Sequence, residues 1–210
     1  MKLKDFSNKD FLLERINDCE GLSEIEEYSD YIEAYDEQED MYLHFHHNID
    51  FDNLFDFGSF KVNKEKFFNI LKNSLDDILF LMPDKIYFIS NEDELDELLN
   101  SDDYCTQGMD IENCLGINWF CDSTIVINIA LCRKLAQEES SKYNEYFEDI
   151  FSEIVWTTLV HELRHMVCDL GVIIPDELIA ISEGSEDNVE RYTNNCFHNS
   201  IIYDDYKCFY

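Results

Sequence analysis

Residues 143–169 carry the longest helical pattern in this sequence, and that pattern sets the terms for everything packed around it. Each helical residue rotates by about 100°, so with His161 at zero, His165 falls at about 40°, Thr158 at about 60° and Glu162 at about 100°. Val155, Trp156, Leu159, Val160, Leu163, Met166 and Val167 fill the opposite arc, from about 120° to 260°. A wide apolar wall therefore backs a narrow polar edge. A helix of this kind is buried along most of its surface, and the rest of the chain must supply what covers it. Gly171 and Pro175 mark its end and the loop that follows.

Those partners are legible in part. Phe67, Phe68, Ile70, Leu71, Leu75, Ile78, Leu79 and Leu81 recur at helical spacing over 64–82, ahead of Pro83. Lys85–Ser90 reads as a buried strand, and Asn91–Leu95 as a capped helix start with acids in its first turn. Residues 104–116 read as loop. Ile117–Phe120 and Thr124–Asn128 read as two strands of a hairpin around Cys121–Ser123, and Leu131–Lys142 as a short helix. A last helix is expected from Ser185, a suitable N-cap. The class is α+β, with 61–210 as the main domain and 1–60 as an acidic N-terminal region. Within that region irregular helix and loop are expected. Tyr42–His47 is the exception, a short strand with His44 and His46 on one polar face.

Charge and composition narrow the function. A net charge of −32 over 210 residues repels phosphate, so direct nucleic-acid binding is not expected. No apolar run approaches a membrane span, and Met1–Asp5 leads into no apolar secretory core. None of the eight cysteines forms a C-x-x-C pair. Reduced, mostly buried thiols and a cytoplasmic location are the expectation.

The chemistry is concentrated at His161-Glu162-Leu163-Arg164-His165. Histidines at i and i+4 lie one above the other on a helix, so two imidazoles can converge on one ion. The intervening Glu162 leaves the helix at another angle and can reach a water beside that ion without binding it. A catalytic zinc needs one more protein ligand and an open position.

This H-E-x-x-H segment resembles the motif of zincin metallopeptidases. The metzincin branch has Gly and then His or Asp where this chain has Cys168 and Gly171, so the resemblance is to the other, thermolysin-like (gluzincin) branch. There the third ligand comes from a downstream helix. Ser185-Glu186-Asp187-Asn188-Val189-Glu190-Arg191-Tyr192 is similar to that element, with Ser185 in place of the family's Asn.

The resemblance spans roughly residues 117–195 and implies a zincin-like fold. In that fold a small mixed sheet with an edge hairpin packs on the active-site helix, followed by a C-terminal ligand helix. It implies Zn2+ held by His161, His165 and Glu186, and Glu162 as general base in peptide hydrolysis. Glu190 either orients a ligand histidine or is itself the ligand; Glu183 and Cys168 are weaker candidates. His198, ahead of Tyr192 and Tyr203, is the candidate for stabilising the tetrahedral intermediate. Thr124–Asn128 is the candidate strand for pairing with an extended peptide substrate. The acidity of the chain suggests Lys/Arg-rich substrates. Two other readings compete: an inactive zincin-like metal-binding protein, and a non-enzymatic acidic protein that imitates nucleic acid toward a basic partner.

Overall fold

The computed structural model describes residues 9–18, 21–37, 41–47, 49–74, 83–99, 111–119, 124–144, 146–169 and 208–209. Two sheets and two principal hydrophobic cores organise them, and the chain is of the α+β class.

The first sheet is antiparallel, in the order β1 (Leu22–Glu27), β2 (Tyr31–Asp36), β3 (Met41–His46). Helix α1 (Lys9–Asn17) lends it Leu12 and Ile16, which pack with Ile32, Ala34, Leu43 and Phe45 in a small core of their own. Strand β3 stands where Tyr42–His47 was expected to form one, while β1 and β2 stand where irregular helix and loop were the expectation. The alternation is real: Ile32 and Ala34 are fully buried while Tyr31, Glu33 and Tyr35 face outward. Because the outward positions carry aromatics, and Glu24 interrupts the period of β1 with a left-handed φ of 48°, two-residue periodicity is hard to see in the sequence.

Helix α2 (Phe51–Leu54) leads into β4 (Phe55–Asp56), the first strand of the second sheet. After helix α3 (Lys64–Ser74) come β5 (Lys85–Ile89), helix α4 (Glu92–Leu99), β6 (Gly116–Trp119), β7 (Thr124–Asn128), helix α5 (Ile129–Tyr143) and helix α6 (Phe147–Asp169). The expected helix over 64–82 is present as far as Ser74; its remainder lies outside the described residues. The sheet order is β4-β5-β7-β6, with the first three strands parallel and β6 antiparallel to β7.

All five residues of β7 are buried, as a strand covered on both faces requires. Ile125 and Ile127 join the large core under α6, and Val126 faces the opposite cluster of Ile89, Leu98 and Ile111. Asn128 closes β7 and opens α5. Its carboxamide oxygen accepts from the Leu131 amide at 3.0 Å, while its NH2 donates to the Ile111 carbonyl at 3.0 Å. Asn144, in the left-handed conformation at φ 57°, ends α5 and turns the chain into α6.

The apolar wall of α6 is covered as its pattern demands. Trp156 stacks on Phe67 with centroids 4.8 Å apart and lies 5.6 Å from Phe209, within a cluster that includes Phe55, Phe57, Phe60, Phe88 and Phe151. Phe209 is held there by backbone: the Asn63 amide donates to the Cys208 carbonyl at 2.8 Å, and Val62 bridges Phe209. Cys114, Cys132 and Cys208 are free thiols, and burial pushes Cys132 and Cys208 up to about 12.

Candidate metal centre

The polar edge of α6 behaves as its spacing predicts. His161 and His165 sit half-buried one turn apart, ring centroids 4.7 Å from each other, with their Nε2 atoms 3.0 Å apart. Two ligand nitrogens about 2.0–2.1 Å from one tetrahedral zinc stand about 3.3–3.4 Å apart, so small rotations of the two imidazoles suffice to admit the ion. Glu162, between them in sequence, is buried at 7% exposure.

What lies over Glu162 is the first residue of β6. A Cβ built on Gly116 would stand 2.7 Å from Glu162 Cγ, 2.7 Å from Thr158 Cγ2 and 2.8 Å from Glu162 Oε1. Only a residue without a side chain lets the strand backbone come this close. Thr158 is fixed in its turn, its hydroxyl donating to the Ile154 carbonyl at 2.8 Å. Glu162 is thus held between its own helix and a strand, as a group that must present one oxygen reproducibly would need to be. Sequence reasoning missed Gly116, although a glycine opening a strand is a recognisable sign of close backbone approach.

Strand β6 is also the edge of the sheet among the described residues, which corrects the expectation placed on Thr124–Asn128. Strand β7 has β5 on one side and β6 on the other, so its main-chain groups are committed to the ladder. Asn118 pairs with Ile125 and Gly116 with Ile127, so both β6 residues face the side of the sheet on which α6 packs. The buried Asn118 side chain has no hydrogen-bond partner at either its oxygen or its nitrogen.

The downstream candidates Glu183, Glu186, Glu190, Tyr192, His198 and Tyr203 lie outside the described residues, as do the side chains of Arg164 and Cys168. Among the described residues no third His, Cys, Asp or Glu joins His161 and His165 in a metal-binding group. No protein family, curated protein or solved structure matches this chain.

The other histidine pair is also brought together. His44 Nε2 lies 3.0 Å from a Glu33 carboxylate oxygen, and His46 Nε2 lies 3.4 Å from Asp84, an ion-pair distance without hydrogen-bond geometry. Asp84, just ahead of β5, stands 4.0 Å from His44 Nδ1. Asp84 first, and Glu33 after it, hold His44 above its ordinary value, with burial opposing; His44 in turn, with His46, holds Asp84 far below the usual carboxylate range. These groups form a polar bridge between the two sheets.

Proposed function

We propose that this chain is a zinc-dependent peptidase of zincin-like architecture. The observation that carries the reading is the convergence of His161 Nε2 and His165 Nε2 at 3.0 Å beside the buried Glu162, beneath the edge strand β6. His161 and His165 would hold the metal, with Glu186 or Glu190 completing the set. A bound zinc supplies an acidified water and polarises the scissile carbonyl.

The remaining chemistry belongs to side chains. Glu162 takes the proton of the attacking water and delivers it to the leaving amine. Its burial and its contact with Gly116 restrict it to few rotamers, so little ordering is left for the reaction itself. An extended peptide would add to β6, the edge of the sheet among the described residues, with main-chain hydrogen bonds giving affinity.

Metal content tests the site before any substrate is known. Purified wild type is expected to bind about one zinc per chain. His161→Ala should lose the metal, and Glu162→Gln should keep it. On a peptide library the wild type should cleave, and Glu162→Gln should be slower by about 10²-fold or more. A wild type that takes up no added zinc would end the proposal; stoichiometric zinc without hydrolysis would favour a metal-binding protein that is not a peptidase.

A further inference from the structure

One face of the first sheet is covered by α1; the other combines aromatic rings and carboxylates in an ordered way. The register sets three rows across the strands. Tyr35 stands opposite Tyr42, Glu33 opposite His44 with Glu26 on its other side, and Tyr31 opposite His46. Glu26 and Glu33, with His44 beside them, therefore occupy the middle row and aromatics the rows on either side, each about 6.8 Å away along the strand; Asp84 stands against His44 and His46 at the β3 side of these rows.

The rows are tied together. The Tyr42 hydroxyl donates to Glu24 at 2.7 Å, reaching over Tyr35, whose ring is 5.1 Å from its own. The Tyr28 hydroxyl donates to Glu26 at 2.9 Å while its ring stacks on Tyr31 at 4.6 Å. Tyr42 is 50% exposed and Tyr28 39%. From Ile16 to Phe60 the sequence holds no Lys or Arg, and the cationic partner in these rows is His44, on Glu33.

We propose that this face docks an extended arginine- and lysine-rich segment of a partner protein. A guanidinium set in the middle row meets Glu26 as a charge-assisted acceptor, with Glu33, already paired to His44, beyond it, and has tyrosine rings on both sides. Period-two side chains of an extended segment match the row spacing. The charge complementarity selects the occupant: at −32, a second copy of this chain is repelled, and so is a nucleic acid. The proposal rests on the sheet alone and is independent of peptide hydrolysis.

The test uses the full chain and a fluorescein-labelled octa-arginine peptide, read by fluorescence anisotropy near 0.15 M salt, where diffuse attraction is screened. Tyr28→Ala/Tyr42→Ala leaves the charge unchanged and truncates exposed side chains. It should weaken binding about tenfold, whereas Tyr28→Phe/Tyr42→Phe, which keeps the rings, should retain most of it. Glu97→Gln/Glu138→Gln, which removes two exposed charges elsewhere, should change binding by less than about twofold. Undiminished binding by the alanine pair, an equal loss in the Glu97/Glu138 pair, or no binding by the wild type would overturn the proposal.

Discussion

Gly116 is the residue at which fold and chemistry are least separable. An added methyl group must displace Glu162 or Thr158, because 2.7 Å is closer than carbon atoms approach without strain. Gly116→Ala is therefore expected to cost about 1–3 kcal/mol of stability, read as a lower melting temperature. It should also lower hydrolysis beyond what that loss explains, while zinc content stays near wild type because His161 and His165 are not touched. Equal activity per folded molecule would mean that Glu162 tolerates displacement. Residue types and spacing made His161, Glu162 and His165 readable in the sequence, because a helix fixes the relation between i and i+4 whatever surrounds it. The relation between Gly116 and Glu162 spans two elements and depends on how β6 lies across α6. No local rule contains that information.

At the scale of elements, α6 presents two sides: a polar edge carrying His161 and His165, and an aromatic wall. Trp156 anchors the wall, 2% exposed and stacked on Phe67 of α3. Trp156→Ala should destabilise by about 3–5 kcal/mol, the usual cost of removing a large buried aromatic, measured as a shift in the urea midpoint. Zinc added at saturating concentration should recover part of that loss if the folded state alone binds it. The strands at 85–90 and 124–128 were legible because apolar runs report burial directly, and so was the helix expected over 143–169, which begins four residues later, at Phe147, because Asn144 caps α5. The order β4-β5-β7-β6 was not, since a two-residue strand such as β4 leaves no pattern, and a hairpin read alone does not say which of its strands is the edge. In the first sheet the outward tyrosines disguised the alternation, and that disguise and the proposed docking face have the same cause.

For the molecule as a whole, the two sheets meet at His44, His46, Glu33 and Asp84, and His44 and Asp84 are shifted there. His44 is raised above 6.5, so its contribution is complete below that pH and is lost as pH rises through the raised value. Asp84 is lowered from 3.8, so its contribution is present above that pH and is lost as pH falls through the lowered value. Both act fully between about pH 4 and 6.5. Both groups are substantially exposed, so the effect should stay below about 1 kcal/mol. Thermal melts at pH 5.5 and 8 should show the wild type losing more stability toward pH 8 than Asp84→Asn does; parallel curves would remove the bridge as a source of pH dependence. The clamp on Phe209 has another consequence. Phe209, fastened by backbone to Val62 and Asn63, packs against Trp156 of α6. The aromatic core is therefore closed by segments far apart in the chain, Val62 and Asn63 ahead of α3 and Cys208 and Phe209. Contacts at such sequence separation carry a loop-closure cost in folding that local helix contacts do not.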